Sequence, residues 1–101
     1  MAPSGRQFLL RVPDEVASVL RKLHPTIKSH IRSGLKRILE HPPVGKALKD
    51  ELQGLRSYRV KRYRIVYRIR PKKRHIEIVA IGPRKVVYEE TFRILKKSRK
   101  E

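Results

Sequence analysis

Hydrophobic and polar positions repeat along this chain with two different periods, and the switches between them mark its elements. From Arg6 to Val12 the alternation has a period of two, with Phe8, Leu10 and Val12 on one face, which predicts a strand. Pro13-Asp14-Glu15 then opens a helix with acids in its first turn, and Val16, Val19, Leu20 and Leu23 form its apolar stripe. His24-Pro25 breaks it, and Pro25 suits the first turn of the next helix. Ile27, Ile31, Leu35, Ile38 and Leu39 make a second stripe, stopped by His41-Pro42-Pro43. The two helices make an antiparallel αα-hairpin. Residues 42–56 read as a connector holding Pro42, Pro43, Gly45 and Gly54. Period-two alternation returns over Ser57–Val60 and Tyr63–Arg70. A turn at Pro71–Arg74 leads to a further strand from His75 to Ile81, with Ile76, Ile78 and Ala80 on one face and Glu77 and Val79 on the other. Gly82-Pro83 ends it, and Val86 to Lys97 suits a short helix carrying Val87, Thr91, Ile94 and Leu95.

This order, β-α-α-β-β-β with an optional terminal helix, predicts an α+β fold with a small, twisted, mostly antiparallel sheet. The helical hairpin covers one sheet face, and the other is expected to stay open. With 101 residues and neither an internal repeat nor a composition break, the chain reads as a single domain over 1–101. Residues 1–5 and 97–101 are expected to be loose tails.

Charge changes the picture. There are 27 Lys and Arg against 9 acids, a formal charge of +18. Residues 1–55 hold ten cations and five acids, whereas residues 56–101 hold seventeen and four, so the excess sits on the strand-rich half. Such a charge repels itself and calls for a polyanion. Nucleic acid comes first, an acidic protein second and an anionic membrane surface third. The absence of cysteine excludes disulfides and thiolate metal sites. No apolar run has membrane-spanning length, and Phe8-Leu9-Leu10 is too short for a signal-peptide core. A cytoplasmic protein that does not span a membrane is expected.

The parity of the second half suggests chemistry. Tyr63, Ile65, Tyr67 and Ile69 share one face of their strand, and Arg62, Arg64, Val66, Arg68 and Arg70 share the other. If Arg59, Arg64 and Arg84 project onto the open face, three guanidiniums can converge on one phosphate, each planar fork holding two oxygens. RNA brings its own nucleophile, the 2′-OH. Cutting it needs a base, cations for the phosphorane and an acid for the departing 5′ oxygen. Asp50-Glu51 and Glu89-Glu90 are adjacent pairs that point two ways, and His24, His30, His41 and His75 lack ligand spacing, so neither metal nor cofactor is expected. His24 and His41 fall at helix ends, where capping or surface roles suffice. Lys61, flanked by Arg59, Arg62 and Arg64, is the candidate base, because crowded cations favour its neutral amine. Tyr88 is a stacking or acid group. Arg62, Arg68 and Lys85, with Lys28, Arg32 and Lys36 on the helices, extend a binding surface. Against this, alternating arginines are common on solvated strands, Tyr63 and Tyr67 suit the core, and Lys96–Lys100 suits a solvated tail. The basic patch speaks more strongly for binding a polyanion than for catalysis.

Three segments together carry a family resemblance: Lys46-Ala47-Leu48-Lys49-Asp50-Glu51-Leu52, Tyr58-Arg59-Val60-Lys61-Arg62-Tyr63-Arg64-Ile65-Val66-Tyr67 and Ala80-Ile81-Gly82-Pro83-Arg84-Lys85-Val86-Val87-Tyr88. Over Phe8 to about Leu95 the chain resembles the RelE/ParE superfamily of toxins from toxin–antitoxin systems. The resemblance implies a ribosome-dependent, metal-free endoribonuclease that cuts mRNA in the A site, leaving a 2′,3′-cyclic phosphate and a 5′-OH. It implies contacts to 16S rRNA and inhibition by a RelB-like antitoxin, with DNA reached only through that antitoxin. It places Lys61 as base or transition-state stabiliser, Arg64 on the phosphorane, Arg84 on the phosphate and Tyr88 on the nucleotide. Arg59 stands where a lysine would be the better proton acceptor, so it reads as a phosphate clamp. Lys61-Arg62 replaces the Gly-Asp or Gly-Asn of many relatives and so removes the glycine suited to a positive-φ turn. Two other functions fit the chain: a ParE-like inhibitor of gyrase, and a non-catalytic basic RNA-binding module.

Overall fold

The computed structural model describes residues 8–99. The chain forms β1 (Leu9–Arg11), α1 (Asp14–Arg21), α2 (Pro25–Glu40), β2 (Lys46–Ala47), β3 (Arg56–Val60), β4 (Tyr63–Arg70), β5 (His75–Pro83) and α3 (Arg84–Arg99). The two helix starts follow from local chemistry. Asp14 and Glu15 complement the positive end of α1. At α2, Pro25 occupies the first turn, and Nδ1 of His24 accepts a hydrogen bond from the Thr26 N–H at 3.1 Å.

The five strands lie in the order β1-β5-β4-β3-β2. Only β1 runs parallel to its neighbour, β5; the other pairs are antiparallel, so the sheet is mixed. β2 is a two-residue edge strand inside the stretch expected to be a connector. Among the described residues, no helix is long and apolar enough to cross a membrane.

The α1–α2 hairpin packs on one sheet face as expected. Val16, Ile31 and Ile38 meet Ile65, Tyr67, Ile76, Ile78 and Ile81 there. Phe8, Leu10 and Val12 flank the same cluster, on one face of their segment as their alternation predicted. Val19, expected in the α1 stripe, is instead 42% exposed.

The second face does not stay open. α3 lies across it and builds a second core from Val66, Val79, Ala80 and Val87, with Leu55, Leu48 and Leu52 closing it from the connector. Val66 is apolar between two arginines because it is the sheet's contribution to this second core. α3 is also longer than expected, starting at Arg84 and reaching Arg99 through the first part of the anticipated loose tail. The other anticipated tail, 1–5, lies outside the described residues, as do 100 and 101.

A β-bulge corrects the reading of β5. Val66 pairs with Ala80, but Tyr67 pairs with Ile78, which leaves Val79 as an extra residue. The bulge turns both Val79 and Ala80 toward α3 and returns Ile81 to the hairpin side. Ala80 was expected to share a face with Ile76 and Ile78; it does not.

Two close approaches hold these layers. Tyr67 is fully buried, and its hydroxyl donates to the Pro42 carbonyl at 2.6 Å while accepting from the Gly45 N–H at 2.8 Å. Burial pushes this phenol above its ordinary pKa of 10.0, opposed by the Gly45 hydrogen bond and by the Arg56 guanidinium. The other approach is at Gly34, where α2 crosses β3 and β4. A Cβ there would lie 2.7 Å from Val60 Cγ2 and 3.2 Å from Ile65 Cδ1. Gly34→Ala gains ~0.5–1 kcal/mol of helix propensity. The forced repacking costs about 1–3 kcal/mol, so a net loss of roughly 1 kcal/mol is expected in a urea titration.

Candidate nucleic-acid interface

The β3–β4 hairpin sets the geometry of the cationic corner. Arg59 stands directly opposite Arg64, and on the other side of β4 Arg64 stands opposite Gly82 of β5. The three positions form one row across the sheet. Parity places Arg59 and Arg64 on the α3 side. Ser57, two residues before Arg59, hydrogen-bonds Tyr88 of α3, and Val66, two residues after Arg64, packs in the α3 core. Arg84 follows Gly82 by two residues and is the first residue of α3. Gly82 lies beneath that helix, where an added Cβ would come 3.7 Å from Val87 Cβ.

Tyr88 comes one helical turn after Arg84. Its hydroxyl lies 2.9 Å from Ser57 Oγ, and Ser57 itself is buried. This bond anchors the phenol to β3 on the side of the sheet that carries Arg59. Sequence reasoning missed Ser57. Its signal was the parity it shares with Arg59, in a strand otherwise made of large residues.

The electrostatics of the corner are unbalanced. Like charges directly opposite on neighbouring strands destabilise a sheet. Among the described residues, ion pairs join Arg70 to Glu77 and Arg93 to Glu90, and neither involves Arg59, Arg64 or Arg84. The first turn of α3 carries no acid, so the positive end of its dipole adds to the same field. The corner therefore offers guanidinium donors and a cationic potential without an internal counter-charge. A phosphodiester supplies that charge.

Lys61 and Arg62 form the tight turn of this hairpin, and both are exposed. Lys61 takes the left-handed conformation, with φ of 57°, although it is not glycine. Such a residue costs roughly 1–2 kcal/mol. The Lys61 carbonyl accepts from Arg59 Nε at 3.3 Å, which ties the turn to the row of cations. On the α2 side Arg59 and Lys61 both line a hollow of about 250 Å³ with His30, Arg37 and Tyr58, so Arg59, at the sheet's edge, borders this hollow as well as the row.

The other expected binding residues scatter. Lys85 is exposed in the first turn of α3, close to the corner. Arg32 and Lys36 are exposed on α2, behind the sheet's other face. Lys28 is half-buried, and its Nζ donates to the Arg21 carbonyl at 3.4 Å, bracing α1 against α2. Arg68 stands opposite Glu77, toward the far end of β4. Among the described residues, no three of His, Asp or Glu lie close enough together to hold a metal ion.

A family profile described as the ParE-like toxin of type II bacterial toxin–antitoxin systems matches residues 10–91. No curated protein matches the chain. Several solved structures do. A chain of the toxin–antitoxin complex RelBE2 from Mycobacterium tuberculosis superposes with a TM-score of 0.69 at 28% identity, covering 76% of this chain and 98% of that one. A doubly substituted mutant of the E. coli toxin RelE in the free state gives 0.72 at 21% identity, over 86% and 96%. A chain of the YoeB–YefM complex from Staphylococcus aureus gives 0.62 at 19% identity, over 74% and 94%. The latter two likenesses establish the fold.

Proposed function

Because the chain belongs to the ParE-like toxins of type II bacterial toxin–antitoxin systems, we propose that it is a ribosome-dependent endoribonuclease of the RelE kind. The observation that carries this reading is the row Arg59–Arg64–Gly82, with Arg84 and Tyr88 rising beside it on α3 and, among the described residues, no acid pairing these arginines. The likeness to the RelBE2 chain supports it from outside the site.

The reaction needs only groups of this kind. The 2′-OH of the nucleotide before the cut gives its proton to Lys61, and its oxygen attacks the neighbouring phosphorus. Arg59 clamps a phosphate oxygen. Arg64 and Arg84 face the negative charge that grows on the phosphorane, where preorganised donors act most strongly. The P–O5′ bond then breaks, and the 5′ oxygen takes a proton from the Tyr88 phenol or from water, leaving a 2′,3′-cyclic phosphate and a 5′-OH; the proton held on Lys61 returns to solvent. Tyr88, held by Ser57, stacks on or orients the nucleotide. The substrate is mRNA in the ribosomal A site, reached in the cytoplasm, with the remaining cations contacting 16S rRNA. An acidic, RelB-like antitoxin that covers the basic face would silence the toxin, as the partners in the RelBE2 and YoeB–YefM complexes suggest.

A purified translation system tests this directly. The expected result is cleavage of ribosome-bound mRNA in phase with the reading frame, with cyclic-phosphate ends. Intact mRNA together with loss of gyrase supercoiling would instead assign the chain to gyrase inhibition. Intact mRNA with RNA binding alone would leave a non-catalytic module.

A further inference from the structure

The far end of the same sheet face carries a second cationic group that the cleavage chemistry does not use. Arg11, Arg70, Lys73, His75 and Glu77 line a hollow of about 170 Å³ beyond the part covered by α3. Register explains the cluster. Arg11 stands opposite Glu77, and Arg70 stands opposite His75. Among the described residues Glu77 is the one carboxylate lining the hollow, and Arg70 Nε already engages its Oε1 at 3.3 Å. Arg11 and Lys73 are exposed and have no acid partner among the described residues, with Lys72 and Arg74 in the same turn.

The hollow is held in place. The Leu9 N–H donates to the Arg74 carbonyl at 2.9 Å, and the Arg74 N–H donates to the Pro71 carbonyl at 3.2 Å. The turn is thus tied to β1, and Arg74 accepts a positive φ of 55° to make it. Arg70 is six residues along β4 from Arg64, roughly 20 Å at the rise of a strand. The two clusters therefore contact different phosphates.

They also differ in kind. The Arg59–Arg64 corner has Tyr88 beside it, and an aromatic ring suits an unpaired, splayed base. Among the described residues, no Tyr, Phe or Trp lines the second hollow. It offers cations to a backbone and nothing large on which a base would stack. Paired RNA presents just that, phosphates and 2′-hydroxyls with its bases turned inward. We propose that Arg11, Arg70, Lys73 and His75 form a second binding site for the phosphate backbone of double-helical RNA, separate from the site that takes the single strand. The choice of RNA over DNA rests on the function proposed above; the choice of a duplex rests on this geometry.

The test uses the full chain and fluorescence anisotropy with three probes: a blunt RNA duplex of about sixteen base pairs, the same duplex as DNA, and an unstructured RNA strand. The variant is Arg11→Gln with Lys73→Gln, two exposed side chains whose loss leaves the core intact. Duplex-RNA binding should weaken about tenfold, and the slope of log affinity against log salt should fall by roughly one to two. Single-strand affinity should change less than about twofold. A second variant, Glu77→Gln, removes the carboxylate and frees Arg70, so duplex RNA should bind more tightly. Equal weakening on duplex and single strand would overturn the site, as would an unchanged duplex affinity or a looser Glu77→Gln complex. Equal binding of the DNA duplex by the parent, lost equally in the variant, would overturn the RNA assignment. mRNA cleavage scored in parallel separates the two readings. A chain that fails to cut yet shows these binding changes refutes only the nuclease. A chain that cuts while the variants bind as the parent does refutes only this site.

Discussion

Replacing Arg64 by alanine should lower the single-turnover rate of cleavage on ribosome-bound mRNA by about 10²–10³. Arg64 is half-buried on β4, flanked in one row by Arg59 and by Gly82, and lies beside the start of α3. A donor held there meets charge that appears only as the phosphorane forms, so its loss falls on the chemical step. The same change should leave the fold unharmed. It removes one of two like charges standing opposite each other, so the melting temperature should hold or rise slightly. Activity and stability thus move in different directions, which a residue acting only as structural filler would not produce. Cleavage at the parental rate would remove Arg64 from the chemistry.

Tyr67→Phe should be the most damaging conservative change in the core. The ring stays, but one hydroxyl that served both Pro42 and Gly45 is lost. The Gly45 N–H is buried with it, and an unsatisfied buried donor costs about 1–3 kcal/mol. For a domain of this size that is a fall in melting temperature of roughly 5–20 °C. The alkaline limb of stability should change too. Burial raises the pKa of Tyr67 in the folded state, so its neutral form favours folding. That contribution is whole below the unfolded phenol's pKa, near 10, and is lost as pH climbs through the higher folded value. The parent should therefore weaken above about pH 10, and the Phe variant should lack Tyr67's share of that decline. Melting curves for both proteins over neutral and alkaline pH check the two effects together. Identical alkaline curves would show that the phenol titrates alike in the folded and unfolded states, so that burial does not raise its pKa.

The elements that face a single core were legible from periodicity alone. The Ile31 and Ile38 stripe of α2 and the Ile65 and Tyr67 side of β4 meet as their spacing implied. The second core was not legible, because its contributors are thinly spread. Val66 stands alone between arginines, Leu48, Leu52 and Leu55 sit in an irregular connector, and α3 is apolar only on a narrow stripe. Each falls short of a pattern, and only their tertiary meeting makes a core. The facing of Ala80 was misread for a different reason. Strict alternation cannot anticipate an inserted residue, and the doubled apolar pair Val79-Ala80 was its only trace. In the site, pairing across β3 and β4 follows from a short turn, which brings Arg59 and Arg64 together. The anchoring of Tyr88 by Ser57 could not be read, since it depends on where α3 comes to rest. Lys61 shows the limit of turn rules: the turn keeps its left-handed residue and tolerates a lysine there.

The extra residue at Val79 is a spare rung in the last strand. Remove it, and the ladder closes into plain alternation: Ile78 stays opposite Tyr67 and Ala80 opposite Val66, so Ile81 keeps its place in the hairpin core and Arg84 its side of the sheet. Deletion of Val79 should therefore be far milder than deletion of Ile76 or Ile78, where a one-residue slip turns the neighbouring side chains over. Natural relatives one residue shorter in this strand should have lost it at the Val79-Ala80 pair.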